Sequence, residues 1–171
     1  MSFILIPKII IMKSKIISAL FVLFLFSVNS QAQDYKTAVG LRLGYPLSVS
    51  YKTFLSDRGA FEGVAGLRSF SGYSWINIGA YYQHHTEIPS VEGLKWYYGG
   101  GANLYFWSFD AGFAGGSSTS IGISGVLGLD YKFADAPINV SVDWIPTFFI
   151  NGFGSGFGGG YGALAARYVL N

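Results

Sequence analysis

Apolar and polar side chains alternate with a period of two along most of the chain after residue 34. Between residues 35 and 45, for example, Val39, Leu41 and Leu43 alternate with Gly40 and Arg42. Successive side chains of a β-strand point to opposite faces of the sheet, so this alternation predicts strands. Eight strands are predicted, at residues 35–45, 47–55, 61–70, 75–86, 94–106, 121–132, 138–148 and 159–170.

The number and length of these segments predict an all-β fold. A strand that crosses a membrane needs about 9–11 residues, and the segments have about that length. Their connections are polar or rich in glycine, as in the Ser56-Asp57-Arg58-Gly59 turn. We therefore predict an eight-stranded antiparallel up-and-down transmembrane β-barrel.

Charged residues lie on the strand face opposite the large apolar side chains. The lumen of an eight-stranded barrel is just wide enough to be filled by side chains, so the face of Gly, Ala, Ser and scattered charges is assigned to the interior. Buried charges must be paired or hydrated. The interior charges therefore form either an ion-pair plug, which we favour, or the lining of a narrow, weakly anion-selective path. The predicted lumen charge network is Arg42, Lys52, Glu62, Arg68, Asp130, Asp143 and Arg167.

Aromatic residues near the strand ends are typical of the girdles that transmembrane barrels place at the two membrane interfaces. The predicted girdle consists of Tyr35, Tyr45, Trp96, Trp144 and Tyr168. The alternative is a soluble periplasmic lipocalin-like barrel, in which the apolar face would line a ligand cavity. That cavity would have to hold nearly all the strand aromatics, which favours the membrane barrel.

The first 32 residues have the pattern of a secretory signal peptide. Lys13 and Lys15 precede an apolar run at residues 16–26, and Ala32 ends a cleavage-site pattern of small residues. Met12 is the more natural start, and residues 33–171 are then the barrel domain. An uncleaved membrane anchor is the alternative, but the run is short for a helix that spans a bilayer.

Removal of this leader changes the net charge of the chain. The precursor has 11 Lys and Arg against 9 Asp and Glu, and three lysines leave with residues 1–32, so 8 against 9 gives a charge of −1. The mature chain therefore offers no electrostatic argument for nucleic-acid binding. It contains no cysteine, so neither disulfides nor thiol chemistry are expected.

Three stretches have residue types that occur in catalytic or nucleotide sites. Residues 154–159 fit G-x-G-x-x-G, but a strand pattern follows where a nucleotide site needs a helix. His84 and His85 are adjacent and point to opposite faces, so they do not chelate one metal. His85 shares a face with Glu87 near a strand end, where a solvated polar pair is expected, and the serine-rich residues 117–120 are expected to be an outer loop. We predict no catalytic residue, cofactor or metal site.

Several segments resemble the small outer-membrane β-barrel proteins of Gram-negative bacteria, the OmpX/OmpA-like eight-stranded set. They are VGLRLGYPLSVSYK, AFEGVAGLR, LKWYYGGGANLYF, IGISGVLGLDYKF and PINVSVDWIPTF, and the resemblance covers residues 34–171. It implies an integral outer-membrane location, with outer-membrane lipid and the barrel-assembly machinery as partners. Members of this family often end in an aromatic residue; here Tyr168 and Leu170 stand close to the end of the chain.

The expected function is therefore non-enzymatic: a structural, adhesion or interaction role. Outer loops around Tyr73 and residues 107–120 and 151–158 would meet an extracellular partner. A narrow pore for small polar solutes is the alternative. A lipid-modifying enzyme of the outer membrane is a further alternative that would need a polar triad at the membrane rim.

Overall fold

A computed structural model describes residues 35–110, 116–152 and 155–170. The predicted leader lies outside these residues. The strands, numbered in chain order, are β1 Thr37–Tyr45, β2 Leu47–Phe54, β3 Gly59–Phe70, β4 Tyr73–Glu87, β5 Leu94–Phe109, β6 Gly116–Lys132, β7 Ile138–Trp144, β8 Thr147–Phe149, β9 Gly156–Gly158 and β10 Gly162–Val169. No helix long and apolar enough to cross a membrane occurs in the described ranges.

Antiparallel pairing closes the sheet into a barrel. Strands β1 to β6 pair in chain order, β6 pairs with β7 and β8, and β10 pairs with both β7 and β1. The pairs Leu127–Trp144 and Ser124–Thr147 keep one register, so β7 and β8 are two halves of one wall strand. They are interrupted at Pro146, which lacks the N–H for a ladder bond. With β9 and β10 forming the last wall, the barrel has the eight predicted antiparallel strands.

The glycine-rich segment near the end of the chain forms a bulge in the last wall. Thr147 pairs with Gly158 and Trp144 with Gly162, so three steps on β7–β8 match four steps on β9–β10. The extra residue lies in 159–161, where the carbonyl of Tyr161 accepts a bond from the Ile145 N–H at 2.9 Å. A strand follows this segment, not a helix, so the G-x-G-x-x-G match does not have the context of a nucleotide site.

The two faces of the wall have the predicted character. Leu41, Ile78 and Leu164 represent the outward positions, and each is more than half exposed. Charged and amide side chains such as Glu62 and Asn139 are completely buried in the interior. The apolar face therefore points outward and the polar face inward, which is the opposite of a soluble barrel.

The strands on one side of the barrel are longer than predicted. β5 extends to Phe109 and β6 begins at Gly116, so the serine-rich stretch lies within a strand and Ser117 pairs with Ser108. The expectation of an outer loop at residues 117–120 was wrong, because these residues continue the β5–β6 ladder. The described termini, Tyr35 and Leu170, lie at one end, which we call the terminal end; the other is the distal end.

Candidate functional site: the barrel interior

Glu62 is at the centre of a buried hydrogen-bond network in the half of the lumen nearer the terminal end. Its Oε1 accepts bonds from Arg42 Nη1 at 2.9 Å, Ser50 Oγ at 2.6 Å and Arg167 Nη2 at 2.5 Å, and Oε2 accepts from Gln83 Nε2 at 2.5 Å. The Glu62 side chain is fully buried. Arg42 lies on β1 and Arg167 on β10, the two strands whose pairing closes the barrel. The Glu62 carboxylate therefore links β3 to both of these strands.

Asp143 forms the second acidic centre. It accepts bonds from Arg42 Nη2 at 2.7 Å and from the Tyr97 hydroxyl at 2.8 Å. Tyr97, Gly128 and Asp143 lie opposite one another on β5, β6 and β7. A Cβ on Gly128 would lie 2.6 Å from the Tyr97 ring. Glycine is therefore required here because the tyrosine crosses over it to reach the carboxylate.

Asp130 forms the third acidic centre, nearest the terminal end. Its oxygens accept bonds from Lys52 Nζ at 2.7 Å, Asn139 Nδ2 at 2.5 Å and the Tyr35 hydroxyl at 3.2 Å. Tyr35 precedes β1, and burial together with the Asp130 carboxylate raises the pKa of its phenol well above the usual value. The phenol therefore stays protonated and donates to Asp130.

The buried network is electrically balanced. It joins Arg42, Lys52 and Arg167 to three carboxylates, and six of the seven residues predicted for the lumen network take part. Arg68 does not join it: the guanidinium lies 4.7 Å from the ring centres of both Tyr45 and Phe70, near the distal end. Without Arg68, the buried network contains three cations and three carboxylates.

Aromatic side chains fill the distal half of the lumen. Trp75, Tyr105, Trp107 and Phe149 form one buried cluster, against which Tyr161 packs. Between this cluster and the charge network lies a cavity of about 20 Å³, lined by Arg42 and others. A site of this size holds about one water molecule. Trp75, Tyr105 and Trp107 have the interior parity in the sequence, but small and charged residues dominate that face and conceal the aromatic cluster.

A larger cavity of about 470 Å³ lies at the terminal end, beside the 88–93 connection. Glu87, Lys95, Lys132 and Tyr35 are among its lining residues, and Asp130 also borders it. Beyond Asp130 the path inward meets Lys52 and Asn139, both completely buried and bonded to that carboxylate.

The histidines are not arranged as a catalytic pair. The His84 ring packs on the outward-facing Tyr98, whereas His85 is 1% exposed and stacks on Tyr97. Neither ring nitrogen of His85 has a hydrogen-bond partner. Glu87 lies instead 3.9 Å from Lys95 Nζ. In the described ranges, no group of three or more His, Cys, Asp or Glu residues is arranged to hold a metal ion.

The residues predicted for the aromatic girdle divide into two groups. Trp96, Trp144 and Tyr168 point outward, between 38% and 58% exposed. Tyr35 is buried against Asp130, and Tyr45 turns inward at the distal end, where its ring contacts Trp75 and Tyr161. Tyr35 precedes β1 and Tyr45 is its last residue, so the alternation within the strand does not fix which way these two side chains point.

Comparison with known proteins supports the fold. No protein-family model and no curated protein matches the chain. The structure is similar to the crystal structure of Neisserial surface protein A (NspA), with a TM-score of 0.56 and 16% sequence identity over 78% of this chain and 93% of that chain. At this identity the likeness concerns the fold alone. The closed eight-stranded sheet, with its apolar outer face and polar inner face, defines the class of protein as a transmembrane β-barrel.

Proposed function

We propose that this chain is a non-enzymatic integral protein of the bacterial outer membrane, with a structural, adhesion or interaction role. The observation that carries the proposal is the combination of an apolar exterior with a filled interior. The exterior matches the lipid-facing band of transmembrane barrels. This placement, and membership of the OmpX/OmpA-like set that the sequence resembles, are both parts of the proposal.

The interior geometry favours a plug over a pore. The Glu62 and Asp143 carboxylates and their arginine partners cross the lumen from β3 to β10 and β7. The aromatic cluster lies behind them on the distal side, and the cavity between the two holds about one water molecule. A hydrated ion would have to displace side chains from two separate layers to pass.

The orientation in the membrane follows from the projecting strands. Barrels of this class have short periplasmic turns and longer extracellular loops. Strands β3 to β6 extend farthest at the distal end. The distal end therefore faces outward in this proposal, and the described termini face the periplasm. Tyr168 on the closing strand and Leu170 just after it are both more than half exposed, where the barrel-assembly machinery would meet them.

Planar-bilayer conductance of the purified full chain tests the plug. We expect no discrete channel openings from the unmodified protein. A variant with Arg42→Ala, Glu62→Ala, Trp75→Ala and Tyr105→Ala, which removes side chains from both layers, should conduct while it retains heat-dependent mobility in SDS. Lys36→Ala with Glu92→Ala is the matched control, since both residues are exposed. Steady ion-selective channels in the unmodified protein would support the narrow pore instead.

A further inference from the structure

Tyr35 lies outside the strands but inside the barrel. The two ladders of β1 begin at Thr37 and Ala38, so neither of them includes Tyr35. Tyr35 is nevertheless only 6% exposed, whereas the adjacent Lys36 is exposed. Contacts of the Tyr35 side chain, and not strand pairing, therefore hold this residue in the mouth of the lumen at the terminal end.

The Tyr35 side chain extends across this mouth from one wall to another. Its ring meets the ring of Phe54 on β2 edge-on, with the ring centres 5.1 Å apart. Its hydroxyl donates to Asp130 Oδ2 on β6 at 3.2 Å. Around the barrel, two wall strands separate β1 from β6 on one side and four on the other. The phenol therefore bridges well-separated parts of the lumen wall.

Tyr35 and Asp130 belong both to the buried network and to the lining of the cavity of about 470 Å³ at the terminal end, which we call the terminal cavity. On the inner side, Asp130 Oδ2 accepts a bond from Lys52 Nζ at 2.7 Å, and His85 Nε2 lies 4.0 Å from the same oxygen. Lys52 is completely buried and His85 is 1% exposed. The boundary between the terminal cavity and these buried groups therefore runs through Tyr35 and Asp130.

Tyr35 is the member of this pair that can move without breaking the barrel. Its directional contacts in the described part of the chain are the Phe54 ring and the Asp130 carboxylate. Asp130 retains Lys52 and Asn139 as partners when Tyr35 withdraws. Segments held by few contacts open at a lower free energy than the paired strands that they adjoin. The mouth can therefore open while every strand pair stays intact.

We propose that Tyr35 is a gate at the terminal end of the lumen: its side chain keeps the water of the terminal cavity away from the buried charge network, and its withdrawal joins the two. Exclusion of water matters here because ion pairs attract more strongly in an interior of low dielectric constant. The gate adds a closure at the terminal end to the plug inside the lumen. The inference rests on the proposed function, since the terminal end must open into an aqueous compartment.

Single-cysteine accessibility tests the gate, because the chain contains no cysteine of its own. The reporter is Ala38→Cys, since Ala38 is completely buried and pairs with Lys52 on the inner side of the gate. Its reaction with a charged methanethiosulfonate is followed by intact mass on the full-length barrel in phospholipid nanodiscs. We expect Tyr35→Ala to accelerate this reaction about tenfold or more. Tyr35→Phe should accelerate it less, because the ring remains, and the control Lys36→Ala should leave it unchanged.

Two further reporters keep the test decisive. Ala60→Cys replaces Ala38→Cys if the latter does not fold, since Ala60 is also completely buried and pairs with Phe54. Ala165→Cys, which lies deeper in the lumen, should stay protected in every background. Equal rates with Tyr35 and with Tyr35→Ala, or rapid reaction of Ala165→Cys in Tyr35→Ala, would overturn the inference. Heat-dependent mobility in SDS is measured on the same samples. An unmodified chain that lacks the barrel, which contradicts the proposed function, is thereby distinguished from a folded barrel that Tyr35 does not gate.

Discussion

Substitution of Glu62 by glutamine should destabilise the barrel more than almost any other single isosteric change. The carboxylate accepts four hydrogen bonds, two of them from arginines, and no part of it is exposed. Removing one partner of a buried ion pair costs about 3–5 kcal/mol because the opposite charge remains buried. Glu62→Gln therefore leaves the three cations of the network facing two carboxylates.

The expected magnitude lies at the lower end of that range. Glutamine retains the shape of glutamate, and the amide of Gln83 can turn so that its unpartnered Oε1 accepts a bond. Arg42 also retains Asp143 as a partner. We expect a loss of about 3 kcal/mol for Glu62→Gln and about 5 kcal/mol for Glu62→Ala, which also leaves a cavity.

Reversible urea unfolding in phospholipid vesicles measures this loss as a shift of the midpoint at unchanged slope. Glu92→Gln is the control, since Glu92 is exposed in the 88–93 connection, and should behave as the unmodified chain. A double-mutant cycle with Arg167→Gln should reveal a coupling free energy well above about 0.5 kcal/mol. Equal midpoints for Glu62→Gln and Glu92→Gln would refute the view that the network holds the barrel closed.

Three other substitutions have distinct expected outcomes. Leu41→Arg places a charge on the outward face and should cost about 2–4 kcal/mol in vesicles if Leu41 lies near the bilayer midplane; an unchanged unfolding midpoint would argue for a water-exposed face. Gly128→Ala should cost about 1–3 kcal/mol by overpacking the Tyr97 ring, whereas Gly160→Ala, where a Cβ meets nothing within 4 Å, should be neutral; equal midpoints for the two would contradict the close approach of Tyr97. His85→Phe should preserve or raise the temperature of the mobility shift in SDS, because neither nitrogen of the buried ring makes a hydrogen bond and Nε2 lies 4.0 Å from Asp130 Oδ2; a marked fall would show that the contact of the imidazole with Asp130 stabilises the barrel.

Alternation along the chain was sufficient to predict the barrel because the two faces of the wall lie in different environments. Outward positions such as Leu41 and Ile78 are apolar, and inward positions such as Arg42 and Glu62 are polar, so a period of two appears directly in the sequence. The same parity placed six charged residues together in the lumen. Which partner each one contacts depends on strand stagger, and alternation carries no information about stagger.

The prediction was weakest at the strand ends. Tyr45 has the parity of an outward residue yet turns inward to contact Trp75, and Tyr35 reaches Asp130, 95 residues away in sequence. The bulge at residues 159–161 brings Tyr161 to the aromatic cluster. These placements depend on local twist and on long-range pairing. The parity of Trp75 and Trp107 was readable from the sequence and could have revealed the interior aromatic cluster.

Electrophoretic mobility in SDS of the chain taken from an outer-membrane fraction, heated and unheated, tests the central claim most directly. A closed transmembrane barrel held by backbone pairing and a buried charge network should resist SDS until heated, so the account predicts two different mobilities. A chain recovered from the soluble periplasmic fraction with one mobility under both conditions would contradict it, and the apolar face would then have to line a ligand cavity.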